Sequence, residues 1–269
     1  MNKINELLSK KRQQEKLVCL TAYTYSVAKI LDKHCDIILV GDSVAMTIYG
    51  AKDTLDATLE MMINHGKAVV KACKSAVVVV DLPFGSYENS KEQALISAKK
   101  VLQETGCDAI KLETNLSTIE TVAFLHQNNL PIMAHIGLLP QQVRKIGKYR
   151  YHGKELKEAQ EIYQTALKLE QAGAFSIVIE AVPAILAENI TKALSIPTIG
   201  IGASINCDGQ ILVIDDLLGL NTEFTPLFVE KFADLSSQID IAVKNFSSAV
   251  KNGNFPKKHH QILFIKNIF

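Results

Sequence analysis

The sequence predicts an α/β protein folded as a single-domain (βα)8 TIM barrel over residues 1–269. Short apolar segments rich in β-branched residues recur eight times. Each is followed by a turn signal and a longer segment of helical period, the pattern of parallel βαβ units. Eight such units occupy about 250 residues in a barrel, and no Ser-, Gly- or Pro-rich linker divides the chain. A doubly wound open sheet is the alternative arrangement of the same units.

The predicted strands and helices alternate along the chain. The strands are Val18–Tyr23, Asp36–Gly41, Ala76–Leu82, Ala109–Glu113, Pro131–Gly137, Phe175–Glu180, Pro197–Gly202 and Gln210–Asp215. The helices are Ser26–His34, Thr58–Cys73, Ser90–Thr105, Ser117–Asn128, Glu155–Ala172 and Pro183–Leu194, with one or two closing helices in Leu227–Gly253. Ser90 with Gln93, and Ser117 with Glu120, have the spacing of N-terminal capping boxes.

The composition of the chain indicates which kinds of binding partner can be expected. With 29 Lys and Arg against 28 Asp and Glu, the net charge is +1, so no basic face for nucleic acid or an anionic membrane is indicated. Met1–Lys16 lacks the apolar core of a signal peptide, and no apolar run approaches the roughly 18 residues that span a bilayer. We therefore expect a cytoplasmic protein with a small-molecule partner. The five cysteines, without a C-x-x-C motif, indicate neither a disulfide framework nor a zinc–thiolate site.

Ionisable side chains end strands whose bodies are almost entirely apolar. In a barrel, the C-terminal strand ends and the loops after them form the active face. These positions hold Tyr23, Asp42, Ser43, Asp81, Lys111, Glu113, His135, Glu180, residues 200–204, Asp215 and Asp216. Each has a structural alternative: an aspartate can cap the next helix, the histidine can be a hydrogen-bonded core residue, and the lysine can pair with the glutamate two positions later. Their recurrence on several strands favours a functional site.

The strand-end groups indicate a chemistry. Asp42, Asp81 and Glu113 form an all-oxygen set suited to a hard divalent cation such as Mg²⁺, and a cation explains why mutually repelling carboxylates would lie together. Glu180 is a candidate general base. Such a set suits proton abstraction beside a carbonyl, with cations holding the developing charge. The turn Gly200–Ser204 can bind phosphate through backbone amides or serve packing alone.

Motifs at the strand ends carry a family resemblance. They are Leu20–Tyr23, Leu39–Ser43, Asp81–Phe84, Lys111–Glu113, His135–Leu138 with Pro140 and Gln141, Glu180, Gly200–Ala203 and Asp208–Val213. In this order they resemble the motifs of the ketopantoate hydroxymethyltransferase (3-methyl-2-oxobutanoate hydroxymethyltransferase) family, from about Leu17 to Pro256. The resemblance implies a barrel of the phosphoenolpyruvate/pyruvate type, assembled as a homodecamer of two pentameric rings. It also implies transfer of a one-carbon unit from 5,10-methylenetetrahydrofolate to C3 of 2-oxoisovalerate, giving ketopantoate for pantothenate synthesis.

The resemblance also implies roles for individual positions. It places an Mg²⁺ site at Asp42, Asp81 and Glu113, substrate contacts at Asp42, Ser43, Asp81, Lys111 and His135, and the proton acceptor at Glu180. The chain departs from the family pattern at Thr24, Ser204, Leu227 and the apolar tail Lys257–Phe269. None of these departures removes a metal ligand or the base.

Two other functions are compatible with the same residues. Lys111 is a possible Schiff-base lysine, as in some barrel aldolases, which borohydride trapping with substrate would detect. The chain is alternatively a barrel that only binds a metabolite, with its carboxylates capping helices, and this hypothesis predicts no divalent-cation binding at the strand ends.

Overall fold

Eight parallel strands pair in chain order and the last pairs with the first, so the sheet closes into a barrel. The computed structural model describes residues 3–142, 151–221 and 226–260. The strands are β1 (Leu17–Thr21), β2 (Ile37–Val40), β3 (Val77–Asp81), β4 (Ala109–Glu113), β5 (Ile132–Gly137), β6 (Ser176–Glu180), β7 (Thr198–Ile201) and β8 (Gly209–Leu212). The predicted barrel is confirmed, and the open sheet is excluded.

Helices alternate with the strands. They are α1 (Lys3–Arg12), α2 (Tyr25–Leu31), α3 (Val44–Thr47), α4 (Leu59–Ala72), α5 (Lys91–Thr105), α6 (Ile119–Gln127), α7 (Leu156–Gln171), α8 (Ala184–Ala193), α9 (Ile214–Leu217) and α10 (Leu235–Lys251). The six helices predicted between strands are all present within a few residues of their expected bounds, whereas α1 and α3 lie outside the predicted elements.

Alternate residues of each strand point into the barrel, which fixes where the strand-end side chains go. Val77 and Val79 of β3 belong to the interior core cluster, and Asp81 continues the same face two residues later. The same relation joins Ala109, Met133 and Val178 of that cluster to Lys111, Glu113, His135 and Glu180. The strands therefore direct these ionisable groups towards the barrel mouth.

Helix α1 covers the opposite, N-terminal end of the barrel. Its apolar residues Ile4 and Leu7 are buried in the same core cluster as the strand interiors. Its lysines pair with aspartates that stand directly before strands: Lys3 with Asp108 at 3.2 Å, Lys10 with Asp36 at 2.6 Å and Lys11 with Asp208 at 2.7 Å. Each of these carboxylates also accepts a backbone N–H from the preceding strand, from Val78, Val18 and Thr198 respectively. The helix is thus held by burial and by three ion pairs.

One predicted helix start is wrong and another is confirmed. Ser117 does not form a capping box with Glu120, because Asn115 Oδ1 accepts both the N–H and the hydroxyl of Ser117 and opens a 3-10 turn before α6. Ser90 does cap α5, and its hydroxyl accepts from the N–H of Gln93 at 3.1 Å. The reciprocal bond of a capping box is displaced by one residue, because Gln93 Oε1 accepts from the N–H of Asn89 at 3.0 Å.

The chain divides into two compact units, Met1–Ile214 and Asp215–Phe269. In the second unit, Asp215 and Asp216 belong to the short helix α9, so they do not end a strand as expected. Its long helix is α10, whose N-cap Asp234 accepts the N–H of Ser237. Residues 261–269 of the apolar tail lie outside the described residues.

Two global features follow from the helices and the cysteines. Within the described ranges, no helix combines the length and apolar character needed to cross a bilayer. All five cysteines are free, and four of them are buried: Cys19, Cys35, Cys107 and Cys207. These four contribute to the core as small apolar side chains.

Candidate active site

Neighbouring strands present ionisable side chains at one end of the barrel. Asp81 of β3 is the register partner of Lys111 in β4, and Glu113 of β4 is the register partner of His135 in β5. These four residues are only 1–6% exposed. The Glu180 side chain, at the end of β6, is 15% exposed. The register therefore brings these predicted residues together and largely removes them from water.

Asp81 links its two neighbours through both carboxylate oxygens. Its Oδ1 accepts from Lys111 Nζ at 2.5 Å, and its Oδ2 accepts from the backbone N–H of Asp42 at 3.1 Å. The helix-cap interpretation is therefore wrong for both aspartates, and Lys111 pairs with Asp81 rather than with Glu113. Burial lowers the pKa of Lys111, but the charges of Asp81 and Asp42 outweigh it, so the pKa is raised above its ordinary value and the amine stays charged.

The carboxylates at this end disfavour one another's charge. Burial, followed by the charge of Asp81, raises the pKa of Asp42 to about 7. Burial, followed by the charge of Asp42, raises the pKa of Glu113 well above its usual range. Lys111 opposes both shifts without cancelling them. Lys111 therefore does not offset the negative potential of the carboxylates, and a bound cation would stabilise their charged forms.

Glu113 has one satisfied and one unsatisfied oxygen. Its Oε1 accepts from the backbone N–H of Gln141 at 2.8 Å, whereas its Oε2 is buried without a hydrogen-bond partner. The side chain of Gln141 donates to Asp42 Oδ2 at 2.8 Å. Gln141 has no predicted role, and the sequence signal that could have identified it is a polar side chain directly after the apolar segment Leu138–Pro140.

His135 and Glu180 face each other from adjacent strands. His135 Nε2 lies 3.1 Å from Glu180 Oε2, but the contact lacks hydrogen-bond geometry, and both ring nitrogens are buried without a hydrogen-bond partner. Burial lowers the pKa of His135, and Glu180 opposes that shift only in part. His135 is thus a neutral imidazole with unused polar atoms, which differs from a satisfied core histidine.

The backbone around Glu180 is tightly constrained. Ala181 has the left-handed φ of +49°, and Gly137 on the neighbouring strand has φ +94°. A Cβ at Gly137 would lie 2.2 Å from the carbonyl oxygen of Glu180, which accepts the N–H of Leu138 at 2.8 Å. The carbonyl of Ala181 in turn accepts the N–H of His152 at 2.9 Å. A non-glycine residue held in this conformation next to a carboxylate favours a functional role for Glu180.

Ser43 lies in the turn after β2 and contacts Tyr23. The two hydroxyl oxygens are 2.7 Å apart. A Cβ at Gly41 would lie 2.9 Å from Ser43 Oγ and 3.5 Å from Asp81 Oδ2, so the glycine allows these side chains to approach each other. His65 of α4, which the sequence did not single out, donates from Nδ1 to the carbonyl of Tyr23 at 2.6 Å.

The carboxylates fit a hard cation in chemistry but are not arranged as a closed ligand set. Among the described residues, no three His, Cys, Asp or Glu side chains converge as a metal centre. Asp81 uses its oxygens for Lys111 and for the N–H of Asp42. The buried all-oxygen donor set and the orphaned Oε2 of Glu113 match the preference of Mg²⁺ for a few carboxylates supplemented by water and substrate oxygens.

The turn at residues 200–204 is filled by the protein itself. A Cβ at Gly200 would lie 3.1 Å from Cys207 Sγ and from Gln210 Oε1. Gln210 Nε2 also donates to the carbonyl of Ser204 at 2.8 Å. Packing therefore explains Gly200, which favours the packing interpretation of this turn over phosphate binding.

Comparison with known sequences identifies the family. The model of the ketopantoate hydroxymethyltransferase family matches residues 1–258. The chain is 50% identical over 244 residues to 3-methyl-2-oxobutanoate hydroxymethyltransferase of Brucella canis, covering 91% of this chain and 89% of that protein. It is 47% identical over 246 residues to the protein of the same name from Paracoccus denitrificans, with the same coverage.

Solved structures share the fold at low sequence identity. Phosphonopyruvate hydrolase superposes with a TM-score of 0.63 at 12% identity, covering 98% of this chain and 92% of that one. The 2,3-dimethylmalate lyase of the PEP mutase/isocitrate lyase superfamily gives 0.61 at 12% identity, with 98% and 93% coverage. These neighbours share the fold of this chain. The sequence match over nearly the whole chain shows that this chain belongs to the ketopantoate hydroxymethyltransferase family, a family of transferase enzymes.

Proposed function

We propose that this enzyme transfers a one-carbon unit from 5,10-methylenetetrahydrofolate to C3 of 3-methyl-2-oxobutanoate, giving 2-dehydropantoate for pantothenate synthesis. The observation that carries the proposal is the juxtaposition of two groups at the barrel mouth. One is the buried network of Asp42, Asp81 and Lys111, and the other is Glu180 against neutral His135. A 2-oxo acid is an anion whose C3 proton becomes acidic when charge on its carbonyl oxygen is stabilised.

The carboxylates of Asp42, Asp81 and Glu113 are the proposed holders of Mg²⁺. Support comes from their burial, from the raised pKa of Asp42 and from the unsatisfied oxygen of Glu113. When bound, the cation would supply positive charge to the oxygens of the 2-oxo acid. The structure of phosphonopyruvate hydrolase with oxalate and Mg²⁺ is a case of this cation on the same barrel type.

The chain's own residues perform the proton transfer and hold the substrate in this proposal. Glu180 accepts the C3 proton, and Lys111 stabilises the negative charge that this removal creates. C3 then forms a bond with the methylene carbon of the folate, both C–N bonds of that carbon break, and water adds a hydroxyl group to it. The two folate nitrogens take the remaining proton of water and the proton held by Glu180, and tetrahydrofolate leaves. Ser43 and His135, whose polar atoms lie at the same barrel end, are proposed substrate contacts together with Asp42 and Asp81.

The contacts of Lys111 favour this chemistry over a Schiff-base mechanism. A nucleophilic lysine must be a neutral amine, whereas the Asp81 pair and the raised pKa of Lys111 keep it protonated. A barrel that only binds a metabolite is also disfavoured, because Asp42 and Asp81 do not cap helices. Borohydride reduction in the presence of substrate is therefore expected to leave Lys111 unmodified.

Proton NMR of 3-methyl-2-oxobutanoate in D₂O tests the proposed half-reaction. We expect the C3 proton signal to disappear with enzyme and Mg²⁺ and to persist with excess chelator. Glu180→Gln should abolish the exchange, and Glu188→Gln, at a partly exposed position of α8, should leave it intact. Exchange at the normal rate in Glu180→Gln, or exchange that ignores the chelator, would contradict the proposal.

The folate and the assembly state complete the proposal. Tetrahydrofolate release from 5,10-methylenetetrahydrofolate, measured with the full reaction mixture, tests the one-carbon donor. A homodecamer is the expected assembly, and light scattering after size exclusion would return about ten times the chain mass of 29.6 kDa. A truncation ending at Pro256 that leaves assembly and activity unchanged would exclude an essential role for the tail.

A further inference from the structure

Gln141 is the one residue in the described part of the chain that bonds to two of the three clustered carboxylates. Its backbone N–H donates to Glu113 Oε1 at 2.8 Å, and its side-chain Nε2 donates to Asp42 Oδ2 at 2.8 Å. Gln141 lies in a 3-10 turn after β5, and it is 4% exposed. A single residue therefore connects carboxylates from the ends of β2 and β4, and among the described contacts these two carboxylates share no direct hydrogen bond.

The side chain of Gln141 is fully engaged. Nε2 makes a second bond, to the carbonyl oxygen of Leu82 at 3.0 Å, and Oε1 accepts from the hydroxyl of Tyr87 at 2.6 Å. Tyr87 is itself buried. Because both amide hydrogens and the amide oxygen have fixed partners, the Nε2–H that meets Asp42 can point in only one direction.

This arrangement leaves a defined part of each carboxylate available. Glu113 Oε1 and Asp42 Oδ2 are the oxygens used by Gln141, while Glu113 Oε2 is buried and unpartnered. Hydrogen bonds from neighbouring residues fix the rotamer of a ligating carboxylate, and losing them typically weakens metal binding about 10–100-fold. Glutamine is suited to this position because it donates to a carboxylate without adding charge to it.

We infer that Gln141, held by Tyr87, is a positioning residue that presents the free oxygens of Asp42 and Glu113 to the cation. The inference rests on the proposed metal role of these carboxylates. Gln141 does not touch substrate in this account, and its effect passes through the cation affinity. Replacing its side chain should weaken cation binding while leaving the chemistry available once the site is filled.

Mn²⁺ binding followed by the electron paramagnetic resonance of the free ion tests this inference directly, without substrate or folate. Gln141→Met keeps the length of the side chain and removes its three hydrogen bonds, and we expect the Kd for Mn²⁺ to rise about 10–100-fold. Tyr87→Phe removes one hydroxyl and should raise the Kd about five-fold. Gln142→Met is the matched control at the adjacent, half-buried position, whose side chain makes no hydrogen bond to another described residue, and it should bind Mn²⁺ as the natural chain does.

The turnover number separates positioning from general damage to the fold. In Gln141→Met, kcat at saturating Mg²⁺ should return to within about three-fold of the natural value, because the bound cation restores the carboxylate geometry. An unchanged Mn²⁺ Kd in Gln141→Met, or a loss of kcat that saturating Mg²⁺ does not restore, would overturn the inference. If circular dichroism shows that Gln141→Met does not fold, an unchanged Kd in Tyr87→Phe overturns it instead. Absence of Mn²⁺ binding by the natural chain would refute the proposed metal role itself, whereas tight binding that neither variant alters would refute only the positioning role.

Discussion

Replacing Lys11 by Met should destabilise the barrel more than removing the lysine of an exposed ion pair does. Lys11 Nζ lies 2.7 Å from Asp208 Oδ2, with side chains only 12% and 17% exposed, and it also donates to the carbonyl of Thr191 at 3.1 Å. The variant keeps the aliphatic stem and leaves Asp208 with the N–H and hydroxyl of Thr198 as donors. Breaking a fully buried pair costs about 3–5 kcal/mol and an exposed pair contributes about 0–1 kcal/mol. For this partly satisfied carboxylate we expect about 2–3 kcal/mol, or roughly 5–10 °C in Tm.

Scanning calorimetry and urea titration of the natural chain and the variant measure this loss. Lys192→Met is the matched control, because Lys192 is 70% exposed and pairs with Glu188 at 2.6 Å, and we expect a change below about 0.5 kcal/mol. The loss in Lys11→Met should persist in 0.5 M NaCl, since buried pairs are weakly screened. In a double-mutant cycle, adding Asp208→Asn should cost less on the Lys11→Met background than alone. Equal losses in Lys11→Met and Lys192→Met would refute the argument that α1 is anchored by this ion pair.

Three further changes test the site and its frame. Asp32 accepts the N–H groups of residues 74–76. Burial raises the pKa of Asp32, but these hydrogen bonds outweigh burial and lower the pKa overall. The contribution of Asp32 to the stability of the fold is therefore complete above pH about 4 and is lost as the pH falls through the lower folded pKa. Asp32→Asn should therefore cost about 1–2 kcal/mol in urea titrations at pH 7 and progressively less below pH 4, and a pH-independent difference would contradict this. Gly137→Ala should cost about 3 kcal/mol or more by the same method, against about 1 kcal/mol for Gly85→Ala, which has φ +84° but open space around its Cβ; similar losses would show that the steric argument is wrong. Glu180→Gln should lower kcat about 10²–10⁴-fold in the complete assay, and normal turnover would exclude it as the base.

The residues at the strand ends were predictable from two features of the sequence. Apolar segments of the right length indicate the barrel, and the two-residue alternation puts Lys111 and Glu113 on one face. Cross-strand register was not predictable in the same way. Lys111 pairs with Asp81 rather than with Glu113 because the parallel pairing of β3 with β4 makes Asp81 its register partner, a relation between residues 30 positions apart.

The contacts made by loop residues and by α1 could not be predicted from the periodicity of the sequence. Gln141 and Asp42 are separated by 99 positions, and their hydrogen bond depends on the paths of two loops after two different strands. Helix α1 buries only Ile4 and Leu7, so its apolar stripe is too small to predict a core helix. Its position depends on the aspartates that the folded barrel gathers at its N-terminal end.

The carboxylates at the two ends of the barrel differ in how their charge is compensated, and this difference favours a functional role for the C-terminal end. At the N-terminal end, each of the three aspartates meets a lysine of α1 and a backbone N–H, which is sufficient to stabilise the fold. At the C-terminal end, only Asp81 of the three carboxylates contacts a lysine among the described residues, and an oxygen of Glu113 lacks any hydrogen bond. Folding gains nothing from desolvating uncompensated charge, since removing a carboxylate from water without a partner is strongly unfavourable. We propose that a bound cation offsets this cost. Glu113→Gln should then raise the free energy of unfolding of the metal-free protein in urea titrations, because burial disfavours the charged form of Glu113, and it should raise the Kd for Mn²⁺.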